Sequence, residues 1–294
     1  MRMLVLGDSV PWGQGLLDVH KYSALVESAL PAEFHGNRVN LSHSGATIGQ
    51  RTQTISHADG EVPISWPTVR QQVEAGEPTD VELVLMNGGI NDVDIRNILN
   101  PCTDSMDLRD DIHSYCYQDY LQLLAQARTR FPNAWIVTTG YYPILSEQSD
   151  WNLLFQALPS FGIANNFVAP RHSVLAKIVA LSEQFAEESE TALKQAVTDA
   201  RDVRSIFVPL GFGPENAVFA KEALLFGLQP TSLAPEDEVI PQRTTECMTY
   251  FHDPLDVFSL FQCIHASVGH PNVEGAAAIA NEVNQAITRN CQFK

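Results

Sequence analysis

The chain has 294 residues, of which 45% are hydrophobic and 18% charged. That balance excludes a disordered polymer and leaves room for one large α/β unit. The formal net charge of −17 repels phosphates, which argues against nucleic acid and anionic membrane surfaces as main partners. We read the acidity as ordinary solubility rather than adaptation to salt or acid. No apolar run approaches the ~18 residues of a membrane span.

The chain opens with a strand-like run from Met3 to Leu6. It leaves no space for a charged leader and cleavage site, so a cytoplasmic location is expected if Met1 is native and a secreted one if a leader was removed. Further β-branched, apolar runs predict strands at Val39–Leu41, Val81–Met86, Trp135–Thr139 and Ile206–Leu210. Helical patterns lie between them at His20–Leu30, Tyr115–Phe131 and Val174–Ala200, and a last one follows at Val273–Ile287. Strands alternating with helices predict a parallel sheet covered by helices. The whole chain, 1–294, reads as a single domain. Two stretches poor in regular signals, about 146–171 and 211–267, read as insertions. They are either covers and binding walls or extra helices that complete the core.

Five cysteines are present: Cys102, Cys116, Cys247, Cys263 and Cys291. None forms C-x-x-C, and no Cys/His set has zinc spacing, so no metal is expected. Cys102 with Cys116, and Cys247 with Cys263, each flank a polar segment. They are candidates for loop-closing disulfides, with free thiols as the alternative.

Four short motifs follow predicted strands or start a predicted helix. Gly7-Asp8-Ser9 follows the first strand. This places a hydroxyl at the sheet's carboxyl edge, where open α/β sheets bind ligands. Ser9 needs a base to become a nucleophile, and its backbone N–H can face an oxyanion. A plain helix cap is the alternative. Asn40 to Thr47 follows the second strand. Here Gly45 allows close backbone approach, and His43 is expected as a partly exposed loop histidine. Asn87-Gly88-Gly89-Ile90-Asn91-Asp92 follows the third strand. Asn91 offers a side-chain amide, with a glycine-rich turn as the alternative. Gly269-His270-Pro271-Asn272 leads into the last helix, where His270 is a candidate base and Asn272 a candidate cap. Taken together, these residues are the parts needed for acyl transfer: nucleophile, base and oxyanion donors.

With these blocks in order, the sequence resembles the SGNH (GDSL-type) hydrolases. Ser9 matches the nucleophile block, with Val10 where the family name has leucine. Gly45, Asn91 and His270 match the Gly, Asn and His blocks, and the match runs from Gly7 to Gly275. The resemblance implies a flavodoxin-like three-layer α/β/α fold with a parallel five-stranded sheet. It also implies hydrolysis of carboxylic esters by a lipase or esterase. Such chemistry needs neither metal nor organic cofactor. The oxyanion hole would be the Ser9 and Gly45 N–H groups with the Asn91 amide.

One departure stands out. The family has aspartate three residues before the histidine, and this chain has Ser267. We therefore expect a Ser9–His270 dyad whose imidazole is oriented by a main-chain carbonyl near Ala266 or Ser267. The rivals are Asp253, Asp256, or His265 bridging to either. A small acyl or lipid ester is the expected substrate. Trp12, Phe155, Phe161, Leu224, Leu225 and Phe226 are candidates for its acyl wall, with filling of the core as the equal alternative for each. Sugar deacetylase and thioesterase activities stay open, as does a binding module that has lost catalysis.

Overall fold

The computed structural model describes residues 1–49, 67–161, 163, 170–251 and 257–293. Asp253, Asp256 and the side chain of Phe161 lie outside what is described. The strands are β1 (Arg2–Leu6), β2 (Arg38–Asn40), β3 (Val81–Met86), β4 (Trp135–Thr139) and β5 (Ser205–Val208). All neighbouring pairs run parallel, in the order β2-β1-β3-β4-β5. Met3–Leu6 and Leu83–Met86 are at most 1% exposed. Their unbroken apolar runs fit strands covered on both faces. After β1 the chain winds outward to β2, then crosses back to β3 on the other side. The carboxyl ends of β1 and β3 therefore border the switch point of the sheet, the usual ligand crevice of this winding.

The helices are α1 (Ser9–Trp12), α2 (Tyr22–Ala29), α3 (Val69–Ala75), α4 (Ile90–Val93), α5 (Ile95–Ile98), α6 (Ser105–Ile112), α7 (Tyr120–Arg130), α8 (Trp151–Ala157), α9 (Arg171–Asp199), α10 (Ile240–Tyr250), α11 (Val257–Ile264) and α12 (Val273–Asn290). A π-helical turn, His113–Asp119, joins α6 to α7. One layer pairs α2 with α12, and the other stacks α3 on α7 and α7 on α9. In α9, buried Leu175, Ile178, Ser182, Phe185, Ser189, Leu193 and Ala196 repeat at three- and four-residue steps, the stripe that a sheet-covering helix needs. No helix among the described residues is long and apolar enough to cross a membrane.

The expected strands at Val81–Met86 and Trp135–Thr139 appear with those bounds. β5 ends two residues earlier than expected, at Val208, because Pro209 has no N–H to extend the ladder. Both expected insertions contain helices: α8 in the first, α10 and α11 in the second. Of the candidate wall residues, Leu225 and Phe226 are 2% and 4% exposed and follow the core alternative. An isolated antiparallel bridge, Leu225 to Pro271, draws them into the core.

Of the two candidate disulfides, Cys247–Cys263 is present. Cys102 and Cys116 are both free. Cys116 is buried in the π-helical turn, facing Gly89, while Cys102 is exposed.

Candidate active site

The first loop is built around Gly7. Its φ of +130° is one that side-chain-bearing residues rarely adopt, and a Cβ there would stand 2.2 Å from Asn87 Oδ1. The buried Gln72 amide holds this glycine on both sides. Gly7 N–H donates to Gln72 Oε1 at 2.7 Å, and Gln72 Nε2 donates back to the Gly7 carbonyl at 2.9 Å. Asp8 then caps α1, accepting from the Val10 N–H at 2.9 Å. Ser9 is the first residue of α1 and only 7% exposed.

A buried polar circuit ties this loop to the third motif. The Asp8 N–H donates to Asn87 Oδ1 at 3.2 Å. Tyr141 Oη donates to Asp8 Oδ2 at 2.5 Å and accepts from the Ile90 N–H at 3.3 Å. Burial raises the Asp8 carboxyl pKa, and its hydrogen bonds to Tyr141, Val10 and Asn87 oppose that rise. The second and third motifs are joined as well. The Asp92 carboxylate accepts from the Ile48 N–H at 2.9 Å, and Asn91 Nδ2 donates to the Ala46 carbonyl at 2.9 Å. Since an amide nitrogen carries two hydrogens, Asn91 keeps a second one to donate. Gly45, at φ +78°, is the residue just before Ala46.

His270 arrives from the opposite end of the chain. Its Nε2 stands 2.7 Å from Ser9 Oγ, across a sequence separation of 261 residues. Three main-chain bonds fix its loop against the 224–226 run. Phe226 N–H donates to the His270 carbonyl at 2.7 Å, Gly269 N–H to the Phe226 carbonyl at 2.9 Å, and Asn272 N–H to the Leu224 carbonyl at 2.9 Å. Asn272 also caps α12, accepting from the Gly275 N–H at 2.8 Å. The 224–226 run thus braces the loop that carries the histidine.

His270 is only partly buried, yet the protein around it lowers its pKa to about 4. Burial is the largest cause, and the positive charge of Arg243 adds to it. The Ser267 and Ala266 carbonyls act in the opposite direction. Nδ1 closes no hydrogen bond of ordinary geometry among the described residues. His265 does not bridge to an aspartate: its Nδ1 faces the Phe261 carbonyl at 2.8 Å and its Nε2 the Leu233 carbonyl at 3.1 Å. His43 is not a partly exposed loop residue either. It is 8% exposed, and its ring lies 4.9 Å from that of Trp12, centroid to centroid.

The structure brings Ser9 and His270 into contact and bonds the Asn91 segment to the Gly45 segment. Sequence reasoning missed Gln72 and Tyr141. Gln72 stands beside Gln71 and Tyr141 beside Tyr142, so neither is singled out by its neighbours, and only its distant partner reveals its place.

Comparison with known proteins agrees with this architecture. The model of the GDSL-like lipase/acylhydrolase family matches residues 5–202, well over half of the chain. The fold is similar to that of phospholipase A1 from Streptomyces albidoflavus (TM-score 0.53, 11% identity, 98% of each chain covered). It is similar as well to that of an extracellular lipase from Streptomyces rimosus (TM-score 0.53, 14% identity, 99% of each chain covered). Among curated proteins, none matches the sequence. On the family match, this chain belongs to the GDSL-like lipase/acylhydrolase (SGNH) family of ester hydrolases.

Proposed function

We propose that the protein is a serine esterase that cleaves acyl esters through an acyl-enzyme on Ser9. The observation that carries this reading is the 2.7 Å approach of His270 Nε2 to Ser9 Oγ, a hydrogen bond between nucleophile and base. His270 is neutral over most of the pH range because its pKa is lowered to about 4, so Nε2 is free to accept the hydroxyl proton. Ser9 Oγ attacks the ester carbonyl carbon as that proton moves to Nε2. The Ser9 and Gly45 N–H groups and the Asn91 amide receive the oxyanion. Collapse of the tetrahedral species breaks the carbon–alkoxy bond, and the departing alcohol takes the proton from His270. Water repeats the sequence on the acyl-enzyme and releases the acid.

In this reading the third catalytic group is a main-chain carbonyl of Ala266 or Ser267 rather than a carboxylate. It holds the Nδ1 proton and so selects the tautomer with a bare Nε2. An acyl or lipid ester is the proposed substrate class, since half-buried Trp12 belongs to the nucleophile's own helix. Turnover of p-nitrophenyl acetate by wild type, Ser9→Ala and His270→Ala tests the chemistry. Loss of activity in both variants is expected, and equal rates in all three would defeat it. A chain-length series of the same esters then separates acyl esterase from deacetylase.

A further inference from the structure

The position three residues before His270 holds no acid, but a buried carboxylate reaches it from elsewhere. Ser267 Oγ donates to Asp237 Oδ2 at 2.5 Å. Arg243 Nη2 donates to the same Asp237 oxygen and, at 3.1 Å, to Ser267 Oγ. The side chains of Asp237 and Arg243 are fully buried, as is Ser267. A buried ion pair is costly to form and persists where its hydrogen bonds are complete. Here three groups close one circuit, and the remaining atoms are engaged too. Asp237 Oδ1 accepts from the Val239 N–H at 3.1 Å, and Arg243 Nε donates to the Ile264 carbonyl at 3.0 Å.

The cluster touches both halves of the site. On the histidine side, the Ser267 carbonyl accepts the His270 N–H at 2.9 Å, so the turn that Ser267 anchors sets where His270 starts. On the nucleophile side, a Cβ on Gly15 would stand 2.8 Å from Ser267 Cβ and 3.2 Å from Asp237 Cβ. One helical turn beyond Arg243, Cys247 bonds to Cys263, the residue before Ile264. Two clamps thus converge on the 263–267 turn.

We infer that Asp237 and Arg243 are positioning residues for His270: they grip the Ser267 hydroxyl and so fix the turn whose Ser267 carbonyl holds the His270 N–H. The inference rests on His270 being the base, as proposed above. The ion pair acts on the imidazole at one remove, through the turn, in place of an acid attached directly before it. Arg243 is the charged group that bears on the His270 titration, alongside burial and the Ser267 and Ala266 carbonyls.

Kinetics of Ser267→Ala and Asp237→Asn, with Arg243→Lys set against Arg243→Met, test this, with near-UV circular dichroism confirming the fold of each. For Ser267→Ala, kcat should fall ~10- to 100-fold, the range for a displaced catalytic group, with KM unchanged. Arg243→Lys should keep more activity than Arg243→Met. The acid limb of the pH profile should rise in Arg243→Met, because removing the positive charge eases protonation of His270. The double variant Asp237→Asn with Ser267→Asp returns a carboxylate to the turn itself and should exceed either single variant in kcat. A folded Ser267→Ala and a folded Asp237→Asn with wild-type kcat and an unmoved acid limb would overturn the inference, and leave the cluster a purely structural pair. Should Arg243→Met not fold, these two near-isosteric variants still decide. His270→Ala separates the layers. If it is inactive while Ser267→Ala is normal, only the positioning role fails. If it is active, the base itself was misassigned.

Discussion

The two halves of the site are made in different ways. The half that carries Ser9, the proposed nucleophile, grows from the sheet: the first three motifs each leave the carboxyl end of a strand, and β1 and β3 are hydrogen-bonded neighbours. Ser9, Gly45 and Asn91 are brought near one another by strand order alone, before any particular side chain acts. The histidine half has no strand behind it. His270 is carried by a loop that rests on the 224–226 run, the Asp237–Arg243 pair and the Cys247–Cys263 bridge. Topology places one half, and specific tertiary contacts place the other. The two should therefore fail differently.

The largest effect is expected at the strand-borne half. Gly7→Ala adds a Cβ 2.2 Å from Asn87 Oδ1 at φ +130°. Combined strain and overpacking should cost at least ~3 kcal/mol. Urea unfolding measures it, and a loss below ~1 kcal/mol would show that the loop adjusts more freely than a sheet-anchored turn should. On the other half, removing the disulfide with Cys263→Ala opens a loop with a sequence separation of 16, a change worth ~3 kcal/mol in the chain-entropy model. The comparison is sharpened if kcat falls here while a small organophosphonate still labels Ser9 slowly. The thiol count is definite: denatured, unreduced protein should titrate three thiols, and five after reduction.

Tyr141→Phe is a smaller change. It removes the donor to the buried Asp8 carboxylate and the acceptor for the Ile90 N–H, with an expected cost of ~1–3 kcal/mol. Thermal unfolding reads it, and an unchanged midpoint would mean that the circuit between the first and third motifs carries no stability. The mildest perturbation needs no substitution. Only neutral imidazole can take the Ser9 proton, and His270 is lowered from 6.5 to about 4. As pH falls, kcat/KM should stay level through the ordinary histidine range and drop only near 4. A limb near 6.5 would show that the imidazole is less enclosed than its packing implies.

How much of this was legible in the sequence follows the same division. The central strands Val81–Met86 and Trp135–Thr139 were readable because strands buried on both faces are apolar or β-branched at nearly every position. The edge strand β2 slipped by one residue, since its burial is only partial. Ser9, Gly45, Asn91 and His270 were readable as motifs at strand ends and a helix start. Gln72 and Tyr141 were not, because their partners lie 65 and 133 residues away and a single polar residue carries no periodic signal. The Asp237–Arg243–Ser267 circuit was hidden for a further reason. It lies in a stretch without strand or helix rhythm, and the sequence showed only the gap it fills, a serine where an acid was expected. For Leu225 and Phe226 two readings stayed open, because an apolar run looks the same whether it lines a pocket or braces a loop.

The central claim is that Ser9 is the nucleophile and that His270, brought to it across the sheet, is its base. Mass spectrometry of the intact protein and its peptides after treatment with a fluorophosphonate tests this most directly. The account predicts one covalent adduct, on the peptide containing Ser9, formed much more slowly in His270→Ala and absent in Ser9→Ala. An adduct on another residue, or labelling of Ser9 at the same rate without His270, would contradict it.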